Sequence, residues 1–159
     1  MLTLQKSTIH QLTVLLNKNE YEKNEQIAPS FLLEFSIDKL TQDSNNAFWW
    51  TPRLIVVHKL IVGMCGFKNI PVDNSVEIGY GIIPSQQKQG FATHAVELLL
   101  KEAFSKIEIK SVVAHTVLSN KASQRVLEKN SFIKEGSKID SDGDEVFIWR
   151  KRKEIKRDK

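Results

Sequence analysis

The chain reads as one α/β domain: a mixed, mostly antiparallel twisted sheet with helices on both faces. Three observations predict it. The apolar spacing is helical before Phe48 and strand-like after it. Beyond Phe48 the stretches run in the order three strands, helix, strand, helix, two strands, as in a sheet that carries helices. The length of 159 residues, with 41% hydrophobic and 26% charged, suits a single ordinary core and not a disordered chain. No repeat, low-complexity block or Gly/Ser/Pro linker divides it. Residues 1–150 are therefore read as one domain and 151–159 as a basic C-terminal tail.

Taken in order, Ile9, Leu12, Leu15 and Leu16 have helical spacing, and so do Phe31, Leu32, Phe35, Ile37 and Leu40. Ser30, after Pro29, is placed to cap the second helix, and the polar stretch 17–26 connects the two. The runs 48–57 and 59–67 are rich in β-branched and aromatic residues and read as paired strands. Pro52 restricts the first run to a sheet edge or a strand beginning. Alternation along it would send one of Trp49 and Trp50 inward and the other outward, where it could wall a pocket. Residues 70–75 read as a turn, and 76–83 as a third strand stopped by Pro84. A long helix over 90–106 carries the apolar stripe Ala92, Ala95, Val96, Leu99 and Ala103, with Glu97 and Lys101 as an outward i,i+4 pair. Residues 111–118 form a strand, and 120–128 a shorter helix with Ala122, Val126 and Leu127 inward. Strands 132–139 and 145–150 close the chain around an Asp140-Ser-Asp-Gly-Asp loop. The strand–helix–strand unit 76–118 should pair in parallel through a right-handed crossover.

The net charge of +4 is local. Seven basic residues lie from Arg150 to Lys159 against Glu154 and Asp158, which leaves 16 basic and 17 acidic residues in positions 1–149. Docking on nucleic acid or an acidic partner is one reading of such a tail. It has no interleaved aromatics beyond Trp149, so the preferred reading is a solvated end. The one cysteine, Cys65, excludes an intrachain disulfide and a cysteine cluster for zinc, and no metal is expected. No apolar run reaches the ~18 residues of a membrane span, because His58 and Lys59 interrupt residues 54–67. The N-terminus leads into no signal-type apolar block, so a cytoplasmic product without a membrane partner is expected.

The stretch Ile82-Ile-Pro-Ser-Gln-Gln-Lys-Gln-Gly-Phe-Ala-Thr joins the third strand to the long helix. A helix N-terminus presents unpaired N–H groups at the positive end of the dipole, which together bind phosphate. Gly90 lets backbone approach a bulky anion, and Ala92 lets the helix sit close to the sheet. Alone, Gln87-x-x-Gly90-x-Ala92 is equally an ordinary loop with a glycine near a helix start. A Walker loop is missing, and Gly79-x-Gly81 runs into Pro84 where a dinucleotide loop needs a third glycine, so neither an ATPase nor an NAD enzyme is expected.

Three blocks, in order and spacing, carry more. Val76-Glu-Ile-Gly-Tyr-Gly-Ile-Ile-Pro, Gln87-Lys-Gln-Gly-Phe-Ala-Thr-His-Ala and Asn120-Lys-Ala-Ser-Gln-Arg-Val-Leu-Glu-Lys-Asn-Ser-Phe resemble the GNAT superfamily of N-acetyltransferases. The chain is most similar to the branch that acetylates ribosomal-protein N-termini. The resemblance covers about residues 54–150 and implies the GNAT acyl-CoA acyltransferase fold. It implies an acetyl-CoA-dependent N-acetyltransferase that moves the acetyl group directly to a primary amine of a protein N-terminus or a small molecule, with coenzyme A as product. By position, the family's phosphate hexad falls on Gln87 to Ala92. The backbone N–H groups of Gln87, Lys88, Gln89, Gly90, Phe91, Ala92 and Thr93 are then expected to cradle the coenzyme A diphosphate. Ile82 and Ile83 match the segment whose backbone pairs with the pantetheine arm like an added strand. Asn120 matches the asparagine that hydrogen-bonds the pantetheine; it is also a good helix N-cap, and the two roles can coexist. Ser123 matches the small polar residue beside the thioester sulfur, a cofactor-binding and catalytic position. Two departures stand out. Asn130-Ser131 replace the usual apolar residue and glycine, and because asparagine tolerates the left-handed conformation a shifted helix stop is expected. The tyrosine that many relatives carry on the helix after the asparagine is missing, since Tyr21 and Tyr80 lie in other elements, which leaves the general acid unassigned.

Acetyl transfer to an amine needs a neutral nucleophile, an oxyanion donor and a departing thiolate, but no covalent enzyme nucleophile, so Cys65 reads as core. Glu77 is the candidate base, acting through water. Alternation puts Glu77, Gly79 and Gly81 on one face, where the glycines leave room for a ligand, and Val76, Ile78, Tyr80 and Ile82 on the other. The competing reading is a strand-start glutamate that is exposed or salt-bridged. His115 reads as a hydrogen-bonded core or rim residue ahead of a second base, and His94 as a surface residue. A backbone N–H near Ile82 or Ile83 is the expected oxyanion donor. The expected partners are the acceptor amine and, as an open arrangement, a second copy in a homodimer; nucleic acid is not expected. The alternative function is a non-catalytic acyl-CoA-binding module of the same fold whose basic tail contacts RNA or the ribosome.

Overall fold

In the computed structural model, which describes residues 1–155, the first element is a strand that the helical reading of the N-terminus overlooks. β1 (Leu2–Lys6) pairs antiparallel with β2 (Arg53–Val57), from Leu2 opposite Val57 to Lys6 opposite Arg53. Only Leu2 and Leu4 turn inward, an alternation too short to stand out beside the helix that follows. That helix, α1 (Ile9–Lys18), opens on a capping box in which Thr8 Oγ1 accepts from the Gln11 N–H at 3.1 Å and Gln11 Oε1 accepts from the Thr8 N–H at 2.9 Å.

Three local expectations for this region are corrected. α2 (Ser30–Gln42) has Pro29 at its cap, and Ser30 Oγ accepts from Asn19 Nδ2 at 3.2 Å, so Ser30 does not cap the helix. The inward stripe of α2 is Leu33, Ile37 and Leu40, which lie on one face at helical spacing, and Phe31, Leu32 and Phe35 face outward. Residues 48–50 are not strand: they belong to a short helix, α3 (Ala47–Trp50), closed by Thr51, whose N–H and Oγ1 both bond Ala47 O at 2.8 and 2.6 Å. Both tryptophans are consequently core. Trp49 packs edge-on to Phe67 at 4.9 Å between centroids, and Trp50 donates its Nε1–H to Asp43 Oδ2 at 2.9 Å. Aromatic residues favour any packed surface, and here tertiary packing outweighs their strand preference.

β3 (Leu60–Phe67), β4 (Ser75–Ile82), β5 (Ser111–Val117), β6 (Ile133–Ile139) and β7 (Glu145–Arg152) complete a seven-stranded sheet among the described residues, in the order β1-β2-β3-β4-β5-β7-β6. Every neighbouring pair is antiparallel except β4 and β5, which are joined through α4 (Phe91–Phe104). α4 buries Ala95, Val96, Leu99, Leu100 and Ala103 on one face of the sheet, against Val76, Ile78, Val112 and Ala114. Ala92 is half-buried. α5 (Lys121–Lys129) lies on the same side; it buries Gln124 and Leu127 and leaves Ala122 exposed, because the buried face begins two residues later than expected. On the opposite face α1 and α2 bury Leu12 and Leu33 against Met64 of β3. Helices therefore cover both faces.

The end of α5 is a Schellman-type stop in which the left-handed residue is Ser131, at φ 63°, and not Asn130. Ser131 N–H bonds Glu128 O at 3.0 Å and Phe132 N–H bonds Leu127 O at 3.0 Å. β7 extends through Arg152, and Lys153 N–H bonds Lys110 O at 2.8 Å, so the sheet takes in the first residues of the basic segment. Residues 156–159 of that segment lie outside the described residues. No helix among the described residues is long and apolar enough to cross a membrane.

Candidate active site

β4 and β5 pair over only three residues, Ser75, Val76 and Glu77 against Ser111, Val112 and Val113. β5 then continues with β7 alone, from Ala114 to Val117, while β4 continues with β3 alone, so a wedge opens between the two parallel strands. On β4, Glu77 O accepts from Lys68 N–H at 2.8 Å and Ile83 N–H donates to Val62 O at 2.9 Å. By alternation the odd residues face β3, and the backbone groups of Tyr80 and Ile82 face the wedge. Ile83 thus has its N–H engaged by β3, and of the two expected oxyanion donors only Ile82 points toward the opening. The Ile82 carbonyl accepts from Gln87 Nε2 at 2.9 Å.

The wide end of the wedge leads to the start of α4. Pro84 opens a 3-10 turn over Pro84–Gln86, and Gln87 N–H closes on Pro84 O at 3.4 Å. Two left-handed residues follow, Lys88 at φ 64° and Gly90 at φ 79°, with Gly90 as the helix N-cap. Neither side chain nor backbone closes the helix end: the first helical bond is His94 N–H to Gly90 O at 3.1 Å. Among the described residues, the N–H groups of Lys88, Gln89, Gly90, Phe91, Ala92 and Thr93 have no protein acceptor. A Cβ built on Gly90 meets nothing within 4 Å, so what demands glycine is the positive φ and an open approach to the amides, not packing. Six free donors, the positive end of a 14-residue helix and the Lys88 ammonium make this corner attractive to an anion as large as a diphosphate. The Gln87 amide, also expected in the cradle, is turned to Pro84 instead.

The other arm of the wedge ends at α5. Asn120 caps the helix, its Oδ1 accepting from Ser123 N–H at 3.0 Å, with its Nδ2 left for another acceptor. Ser123 Oγ shares a 2.7 Å hydrogen bond with the Tyr80 hydroxyl, which also donates to Ser123 O at 3.2 Å. A phenol from β4 thus reaches the first turn of α5. Burial pushes the Tyr80 pKa up to about 12, partly offset by the bond to Ser123, so the hydroxyl keeps its proton at neutral pH. The sequence signal for this was available: alternation puts Tyr80 on the α5 side of β4, but the distance to Ser123 depends on how α5 packs.

At the apex, on the face opposite α4 and α5, Glu77 lies between two basic groups. Its Oε1 is 2.6 Å from His115 Nδ1 and its Oε2 is 3.0 Å from Lys68 Nζ, while its own N–H donates to Asn69 Oδ1 at 3.0 Å. Gly79 and Gly81 continue that face; a Cβ on Gly81 would meet nothing within 4 Å. His94 is exposed on α4, away from these contacts. Cys65 is buried, and burial pushes its thiol up to about 12, which removes it from nucleophilic chemistry. Its cross-strand neighbour Arg53, which the sequence reading passes over, is fully buried and holds Phe48 O and Thr51 O at 2.7 and 2.6 Å and Glu102 Oε1 at 3.3 Å, a structural anchor under α3.

An acetyltransferase (GNAT) domain model matches residues 12–133. The uncharacterized N-acetyltransferase YoaA of Bacillus subtilis (strain 168) is 29% identical over 116 residues, which cover 72% of this chain and 64% of that protein. This chain thus spans less than two thirds of that curated relative. Among solved structures, a chimera of the spermidine N-acetyltransferase SpeG from Vibrio cholerae and hSSAT superposes with a TM-score of 0.74 at 16% identity, over 95% of both chains. RimL, a ribosomal L7/L12 alpha-N-protein acetyltransferase in complex with coenzyme A, superposes with a TM-score of 0.73 at 19% identity, over 95% of this chain and 93% of that one. At such identities the likeness is one of fold.

Proposed function

This chain belongs to the GNAT acetyltransferase family, and we propose that it transfers the acetyl group of acetyl-CoA directly to a primary amine, carried by a protein N-terminus or a small molecule. The observation that carries this reading is the set of free amides from Lys88 to Thr93 at the wide end of the β4–β5 wedge. Those amides, with Lys88, hold the diphosphate. The wedge-facing backbone of Tyr80 and Ile82 takes the pantetheine arm as an added strand, and Asn120 Nδ2 steadies it from α5. Bound in this way, acetyl-CoA supplies an activated acetyl thioester.

The residues around the apex divide the remaining work. Ile82 N–H is the donor for the carbonyl oxygen as it gains negative charge. The Tyr80–Ser123 hydroxyl pair donates one hydrogen bond to the sulfur as it leaves, the Tyr80 O–H turning to it from Ser123 O while Ser123 Oγ–H donates to Tyr80. With a pKa near 12, Tyr80 stabilises a thiolate as a donor and is not an acid that ionises at each turnover. Glu77, on the open face, draws a cationic amine toward the apex and, with its neighbours, provides the route by which the ammonium proton departs.

Release of free thiol from acetyl-CoA, measured with spermidine, an aminoglycoside and short peptides bearing a free α-amine, tests the assignment. Amine-dependent release supports it. Binding of acetyl-CoA with no release for any amine would favour a non-catalytic acyl-CoA-binding module.

A further inference from the structure

The Glu77 corner contains a second group, His115, which the sequence reads as a hydrogen-bonded core or rim residue ahead of a second base. Glu77 is the last residue of β4 paired with β5, and His115 lies two residues past the last paired position of β5, so the two side chains meet across the apex of the wedge. A carboxylate only accepts hydrogen bonds, and a bare ring nitrogen only accepts as well. A separation of 2.6 Å between Glu77 Oε1 and His115 Nδ1 needs one proton between the two atoms, and with the carboxylate ionised that proton is on Nδ1. In the neutral ring that fixes the tautomer and leaves Nε2 bare. Both Glu77 oxygens are meanwhile engaged, one by the imidazole and the other by Lys68 Nζ at 3.0 Å. Each Glu77 oxygen thus already has a partner, whereas Nε2 of His115 has none among the described residues.

We infer that His115 Nε2 is the base that takes the proton from the acceptor ammonium, with Glu77 as the positioning residue that holds the ring. The inference rests on the transferase reading above. In the step, an N–H bond of the ammonium breaks, Nε2–H forms, and the freed lone pair becomes the nucleophile. Nδ1–H stays with Glu77, whose charge stabilises the imidazolium, and the Nε2 proton returns to water before the next turnover. The geometry is that of a carboxylate–imidazole pair in which the carboxylate orients and the ring does the proton transfer. His115 keeps 17% of its side chain exposed, which gives that proton a way out. The charged groups around the ring are few. Glu77 faces it from β4, with Lys68 beyond. Across the pair on β7 stands Ile148, and the next basic residue there, Arg150, is occupied by Glu135, Ser75 and Ser111.

The test compares wild type, His115→Ala and Glu77→Gln with spermidine and with a peptide bearing a free α-amine. His115→Ala should keep the rise in melting temperature with acetyl-CoA and lose about 10²- to 10⁴-fold in kcat/KM at neutral pH. Added imidazole should restore part of the loss, and the deficit should shrink as pH rises and more of the acceptor amine is neutral. Glu77→Gln should lower kcat more than it raises KM, without imidazole rescue. A structural clasp between the strands would give a loss that is the same at every pH and is not rescued; that result, or His115→Ala activity within about threefold of wild type, overturns the assignment. A wild type that binds acetyl-CoA but turns over no amine overturns the transferase reading itself, and the base with it.

Discussion

The hydroxyl of Tyr80 and Oγ of Ser123 lie 2.7 Å apart, joining the free arm of β4 to the first turn of α5 across the wedge. Strand and helix each contribute one hydroxyl, so neither residue alone makes the donor pair. Tyr80→Phe and Ser123→Ala should each lower kcat about tenfold with little change in KM for acetyl-CoA. As members of one hydrogen-bonded unit, the double variant should lose scarcely more than either single one. Steady-state thiol release checks this; additive losses would mean that the two act separately.

Gly63 of β3 pairs with Ile82, next to Gly81 on β4, and the two glycines are opposites in tolerance. A Cβ on Gly63 would sit 2.1 Å from Gly81 O and 3.0 Å from Ile82 Cα, both backbone, so β3 and β4 would have to separate at the edge of the wedge. Gly63→Ala should cost about 3 kcal/mol or more in urea unfolding. Gly81→Ala, with open space around the new methyl group, should stay within about 1 kcal/mol of wild type.

The two groups with strongly raised pKa values set an alkaline limit. Cys65 moves from 9.0 to about 12 and Tyr80 from 10.0 to about 12, each chiefly through burial. A folded pKa above the unfolded one means that the unfolded chain loses its proton first, so stability is unaffected below pH 9 and declines from there toward pH 12. Between pH 8 and 10.5 the loss should be about 3 kcal/mol, of which about 2 kcal/mol comes from Cys65. Cys65→Ala should be less stable at pH 8 yet show a flatter decline; an unchanged slope would contradict the account.

Much of this was legible in the sequence because it depends on short-range pattern. The parallel β4–α4–β5 unit, the Asn120 cap and the loop around Gly90 follow from period, turn residues and three spaced blocks. What escaped depends on packing. β1 has two inward residues and gains its identity only from β2. Phe48, Trp49 and Trp50 carry strand-like composition, but Thr51 closes them into a helical turn and Arg53 lies beneath them. Tyr80 and His115 were placed on the right elements, but their contacts with Ser123 and Glu77 are set by how far β4 and β5 diverge, a distance that no local pattern encodes.

Ser131 occupies the left-handed stop of α5 at φ 63°, where glycine carries no Cβ penalty. Ser131→Gly should therefore stabilise the protein by about 0.5–1 kcal/mol, with the Phe132 N–H bond to Leu127 O retained. Thermal or urea unfolding of the variant reads this directly, and a destabilised variant would show that the Ser131 side chain has a role not captured by the stop.

The most direct measurement is the melting temperature with and without millimolar acetyl-CoA. Ligand at a hundredfold excess over its Kd stabilises by about 2.7 kcal/mol, a rise of roughly 8 °C for a domain of this size. Wild type should show that rise. Gly90→Ala, which carries the strain of a positive φ without charge, should keep most of it, and Gly90→Glu, which places a carboxylate among the free amides, should lose it. No rise in wild type, or an equal rise in Gly90→Glu, would contradict the claim that these amides hold the diphosphate.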